Sequence, residues 1–97
     1  LLVKVDELAE RILTLGGEPI HAYSAYIKTS DIKELLNYTD AKSTVAAVLS
    51  SFELLLKKQR DLMDLSSNSN DEGTSALMSD YIREQEKLVW MYSAFLG

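Results

Sequence analysis

Asp6 and Glu10 are the residues of this chain best placed to do chemistry. Two carboxylates four positions apart fall on one face of a helix, one turn from each other. Like charges at that spacing repel mildly, and a divalent cation held between them turns the repulsion into attraction. Neither acid has a cation within reach on its own helix. The positions three and four away from Asp6, apart from Glu10, are Leu2, Val3 and Ala9, and those around Glu10 are Glu7, Leu13 and Thr14. Glu7 differs, because Arg11 follows it four residues later and offers a surface pair worth roughly 0.2–0.5 kcal/mol. Taken alone, an acid pair on a helix is most often a solvated face. This pair sits in Asp6-Glu-Leu-Ala-Glu10-Arg-Ile-Leu-Thr-Leu-Gly-Gly17, a helix end stopped by two glycines.

Other chemistry is sparse. His21 lies just past the Gly-Gly-Glu-Pro turn, away from the carboxylates, and reads as a surface or loop-packing histidine. Ser24, Ser43 and Thr44 have no base in a recognisable arrangement beside them, so nucleophilic catalysis has no support. Met63, Met78 and Met91 recur at core or interface spacing rather than as a soft-metal site. There is no cysteine, hence no disulfide framework and no thiolate metal site, which fits a reducing compartment.

The elements that must position the acids are helices. Val5, Leu8, Ile12 and Leu15 recur at helical spacing and predict a first helix over 1–15. Gly16 and Gly17 supply a left-handed stop, and Pro19 forbids resumption. Residues 18–39 read as an irregular connection with one short helix around 22–28, whose apolar side is Tyr23, Tyr26 and Ile27, and a weak second turn over 32–36. A long helix is predicted over 40–66, capped by Thr39 or Asp40, with Val45, Val48, Leu49, Phe52, Leu55, Leu56, Leu62 and Met63 as its stripe. A polar turn at 66–70 precedes a last helix over 71–96. Asp71 and Glu72 stand at its positive end, and Met78, Tyr81, Ile82, Gln85, Leu88, Val89, Tyr92, Phe95 and Leu96 form its stripe. Helices of about 25 residues span roughly 37 Å, and the short turn makes these two antiparallel neighbours.

The 97 residues suffice for one domain with one modest core, and 46% hydrophobic with 26% charged residues is the balance of a globular protein. No apolar run is long enough to cross a bilayer. A net charge of −5 gives no general attraction for phosphate backbones and favours cations. Leu1 and Leu2 already belong to an apolar stripe with no cap before it, so Leu1 is expected in mid-helix with further residues ahead of it. A fourth helix upstream would complete a bundle. The long connection is then a crossover that lets the first and third predicted helices lie parallel, the ferritin-like arrangement.

The Asp6-to-Gly17 stretch, followed by Pro19 and a short aromatic helix, resembles the end of the second helix and the crossover of Dps proteins, the mini-ferritins named as DNA-binding proteins from starved cells. The ending Glu86-Lys-Leu-Val-Trp90-Met-Tyr-Ser-Ala-Phe-Leu-Gly97 resembles their last helix. The resemblance implies an all-α, ferritin-like four-helix bundle whose helix B ends at 15, with a crossover over 18–39, helix C over 40–66 and helix D over 71–96. It implies a cytoplasmic homo-oligomer, a dodecamer, that oxidises ferrous iron with peroxide and stores the ferric product as mineral. Asp6 and Glu10 match the family's metal ligands. Two histidines from the first helix of the neighbouring subunit, upstream of Leu1, are implied as the other ligands. Carboxylates and imidazoles suit Fe(II), and few protein ligands leave positions open for peroxide.

The resemblance also implies a threefold pore lined by acids near the start of the last helix, where Asp71 and Glu72 stand. At the neighbouring positions, which often hold further Asp in the family, this chain has Ser67 and Ala76, so a less acidic pore is expected. Trp90, with Arg83 and Glu86 on its face, is expected to be exposed in a monomer and to meet another subunit, as are Tyr23 and Tyr26. Direct DNA binding is not expected, since no lysine-rich tail is visible and the only basic cluster, Lys57, Lys58 and Arg60, is interleaved with Glu53, Asp61 and Asp64. The competing reading is a helical scaffold or interaction module that keeps the ferritin-like fold without its chemistry. A di-iron oxidase built within one bundle needs Glu-x-x-His pairs, and none is expected here.

Overall fold

A computed structural model describes residues 2–32 and 40–97. Among them every regular element is helical: α1 (Leu2–Thr14), α2 (Tyr23–Thr29), α3 (Ala41–Asn68) and α4 (Glu72–Leu96). The weak turn expected over 32–36 and the alternative cap Thr39 fall largely or wholly on residues 33–39, outside the described residues. The chain divides into two compact units, Leu1–Lys33 and Glu34–Gly97.

In the first unit, α1 ends in a Schellman stop. The Gly16 N–H donates to the Leu13 carbonyl at 3.0 Å, and the Gly17 N–H donates to the Ile12 carbonyl at 2.9 Å. Gly16 takes φ +87°, open to glycine at little cost. Gly17 answers a different need, since a Cβ there would sit 3.0 Å from the Ile12 Cγ2 methyl. The chain then turns at Pro19 and enters α2 from Ala22, which offers no side-chain cap. The Tyr26 hydroxyl donates to the Ile20 carbonyl and ties α2 back to the turn.

The stripe expected as core on α1 is not buried. Val5 (42% exposed), Leu8, Ile12 and Leu15 all remain open. One helix and a seven-residue helix have too little surface to cover that stripe, so it lines a shallow recess instead. Val5, Leu8, Ala9 and Ile12 from α1 meet Pro19, Ile20 and Tyr26 around a volume of about 290 Å³.

The second unit is the α3–α4 hairpin, whose helices pack on each other. Asp40 caps α3: the Ser43 N–H donates to its Oδ1 at 2.8 Å, and the Thr44 hydroxyl donates to its carbonyl at 2.9 Å. The Ser43 N–H, followed by the Ser43 hydroxyl, holds the Asp40 carboxyl below its ordinary pKa of 3.8. The polar turn expected from 66 begins later, because Ser66-Ser67-Asn68 contains no glycine or proline and stays helical. The stop is again of Schellman type, with Asn70 in the left-handed region at φ +60°. Its N–H donates to the Ser67 carbonyl, and the Asp71 N–H donates to the Ser66 carbonyl at 2.7 Å.

Leu56, Met78 and Tyr81 form the buried apolar core, and the Phe52 and Tyr92 rings stack with centroids 6.0 Å apart. Two stripe positions depart from expectation. Leu62 is 44% and Phe95 55% exposed, because a two-helix seam covers a narrower face than the broad stripe the sequence offers. Arg60 and Glu86 bridge the helices at 2.9 Å.

Candidate metal centre

Asp6 and Glu10 stand one turn apart on the exposed part of α1. Among the described residues neither carboxylate makes an ion pair or a side-chain hydrogen bond, whereas Glu7 and Arg11 each engage a partner. Their backbone is firmly held. The Thr14 hydroxyl donates to the Glu10 carbonyl at 2.8 Å, and the Schellman stop begins at the next turn. The result is a rigid helical platform that presents two solvent-facing acids without a local cation. Such a pair supplies hard oxygen ligands but only part of a coordination sphere. Among the described residues no three His, Asp or Glu side chains converge to complete one.

The chain does contain one Glu-x-x-His sequence, Glu18 to His21. It includes Pro19 and lies in the non-helical stretch between α1 and α2, with both residues exposed. The i, i+3 geometry that a helix gives to a di-iron motif is therefore not built there.

The comparisons with known proteins agree with this architecture. The ferritin-like domain family matches residues 2–97. The chain belongs to the ferritin-like family. Within that family it is a Dps member. The Dps protein from Vibrio cholerae O1, described as a member of a broad superfamily of ferritin-like diiron-carboxylate proteins, is 53% identical. Its crystal structure superposes with a TM-score of 0.96, covering 99% of this chain and 60% of that one. The DNA protection during starvation protein of Porphyromonas gingivalis is 40% identical over 95% of this chain and 58% of its own length. The DNA protection during starvation protein 2 of Bacillus anthracis is 38% identical over 96% of this chain and 64% of its own. The chain thus spans about three-fifths of the length of the Dps relatives it matches.

The Dps likeness draws attention to three further places. Asp71 is a structural residue as well as a pore candidate. Its Oδ1 accepts from the Thr74 N–H at 3.2 Å and its Oδ2 from the Thr74 hydroxyl, so its carboxylate closes the start of α4. The same residue's N–H closes the end of α3. Sequence reading saw the acid at the helix start and missed this double duty. Glu72 stands beside it in the first turn, exposed. Ser67 shares a hydroxyl network with Ser66 and Ser75, in which the Ser75 Oγ lies 3.1 Å from that of Ser67 and 2.7 Å from that of Ser66.

Trp90 is exposed to 68%, as its polar neighbours required, and Met91 and Phe95 extend the apolar surface at the end of α4. Tyr26 is exposed to 38%, with its hydroxyl engaged at Ile20. The Tyr23 side chain lies outside the described residues. No helix among the described residues is long and apolar enough to cross a membrane.

Proposed function

We propose that this chain is the body of an iron-sequestering mini-ferritin, in which Asp6 and Glu10 bind ferrous iron at a contact between subunits. The observation that carries the reading is the pair itself: two acids, one turn apart, unpaired on a rigid platform, in a Dps-type chain. Iron is the substrate and cargo. Each ferrous ion gives up one electron, and one peroxide takes up a pair. Its O–O bond breaks, and with protons from solvent it leaves as water. The role of the protein residues is to bind and to neutralise. Two carboxylates offset the charge of the cation and favour the ferric product, and helix rigidity fixes their separation. The remaining ligands are two histidines from a neighbouring subunit.

The assembly we propose is a cytoplasmic homo-oligomer, a dodecamer, that stores ferric mineral and so shields the cell and its DNA from oxidative damage. The names of the Porphyromonas and Bacillus relatives support a protective role. Residues 1–97 act as one ferritin-like domain in it, with Trp90, Tyr23 and Tyr26 at subunit contacts and Asp71 with Glu72 at the iron entrance. Protection does not rest on direct DNA binding by the residues seen here.

A second reading is a scaffold of ferritin-like fold without oxidase chemistry. It draws on the entrance: Asp71 is committed to capping, and Ser67 and Ala76 are uncharged, so this end of α3–α4 attracts iron less strongly. Ferrous oxidation by the assembled protein separates the two readings. Replacing both acids, Asp6→Ala with Glu10→Ala, should slow oxidation on the order of 100-fold, at the upper end of what even outer-shell metal partners cost. Subunit assembly by native mass should be unchanged. Oxidation at the parental rate in that double variant would remove the metal assignment and leave the scaffold.

A further inference from the structure

One level of the α3–α4 hairpin carries two amides whose oxygens find no protein donor among the described residues. The stacked rings of Phe52 and Tyr92 mark a level at which the two helices face each other. Seven residues on from Phe52 along α3 stands Gln59, and seven back from Tyr92 along α4 stands Gln85. Seven residues are close to two turns, so each glutamine returns to the face that carries its ring. The next such step reaches Ser66 and Met78, both buried. The two glutamines therefore share a level inside the seam, between the aromatic stack and the Ser66–Met78 layer.

Gln85 is only 2% exposed. The Oε1 atoms of both Gln59 and Gln85 are shut off from solvent, and neither meets a donor among the described residues. An unmet buried acceptor costs about 1–3 kcal/mol, and native proteins rarely tolerate two of them at one level.

We propose that Gln59 and Gln85 form a binding site for an internal water molecule, which donates one O–H to each amide oxygen. The chemistry favours water over a metal ion. Both ligands are neutral, and the residues that follow them on the two helices, Arg60 and Glu86, pair with each other. Two uncharged carbonyls do not repay the dehydration of a divalent cation. A water molecule has two O–H donors for two acceptors and needs only a few polar partners to be held. A polar level in the seam also fixes the register of two helices, because sliding either one strands a polar group against apolar side chains. The bridged pair thereby locks α3 against α4 at the register that Phe52–Tyr92 and Arg60–Glu86 mark.

A crystal structure of the assembled, full-length protein at a resolution that shows ordered solvent tests this directly. The expected result is a water within about 2.7–3.2 Å of both Oε1 atoms. Three results would overturn it: one amide turned over to bond the other directly, a protein donor from another segment at either oxygen, or no density between them. Urea unfolding gives an independent readout. Gln59→Leu and Gln85→Leu should each lower the midpoint, since each leaves an amide and a water half-satisfied. The double variant should recover to the parental midpoint or above, because both acceptors and the water leave together. A double variant whose loss equals the sum of the single losses would contradict the shared site.

Discussion

The unit that ends with α2 and the α3–α4 hairpin use the same helix stop and differ in almost everything else. Gly16 takes the left-handed position after α1, and Asn70 takes it after α3, with matching pairs of hydrogen bonds to the last turn. Beyond that shared device, the buried side chains are all on one side of the comparison. All the side chains buried among the described residues, Leu56, Ser66, Met78, Tyr81 and Gln85, belong to the hairpin, and both its helices start from an aspartate cap. The first unit buries none among its described residues, and α2 starts without a side-chain cap. Yet the first unit holds the acid pair. Burial and the proposed metal ligands occupy different parts of this chain. The proposed ligands Asp6 and Glu10 are exposed, while the hairpin holds the buried side chains.

That division can be broken from the hairpin side first. Met78→Ala removes a side chain that is 1% exposed and should cost about 2–5 kcal/mol in urea unfolding. Val3→Ala, at a position 70% exposed on α1, should stay within about 0.5 kcal/mol. Equal losses at the two sites would dissolve the contrast. Asp71→Ala comes next, with an expected loss of about 0.5–2 kcal/mol from the cap, while Asp71→Asn retains most of it. A pore acid with no structural role would show no loss at all.

The capping acid of α3 sharpens the comparison through pH. The folded-state pKa of Asp40 is lowered, so the stability its charge provides is present above about 3.8 and is lost as pH falls through the lowered value. The gap between the parental protein and Asp40→Asn should therefore close at the acid end of a pH series of melting curves. A gap that widens there would give the shift the wrong sign. Smaller still is Arg60→Ala. Both side chains of its ion pair are about half exposed, so the loss should be under about 1 kcal/mol and fade with salt. The smallest effect belongs to the acid pair. In metal-free protein, Asp6→Asn with Glu10→Gln relieves an i, i+4 repulsion and should raise stability by no more than about 0.5 kcal/mol. A marked loss would mean that the acids are structural.

Much of the helical architecture was legible because its signals are local. Asp40 before an apolar stripe, Gly16-Gly17 after one, and Asp71 at a new start each act within a turn of themselves. The end of α3 was less legible, since Asn70 rather than glycine supplies the left-handed stop and Ser66 to Asn68 neither break nor favour a helix. Burial was the least legible property. Leu62 and Ile12 lie on regular stripes and yet are exposed, because periodicity states which face is apolar and not what covers it. The acid pair was visible from spacing alone. The further ligands proposed for it were not, since no third His, Asp or Glu converges on the pair among the described residues.

The most direct measurement is anomalous scattering at the iron edge from crystals of the assembled protein soaked with ferrous iron under reducing conditions. The expected result is a peak within about 2–2.5 Å of carboxylate oxygens of both Asp6 and Glu10, with a neighbouring subunit completing the site. Strong iron peaks elsewhere and none at this pair, or both side chains pointing into solvent far from any other copy, would contradict it.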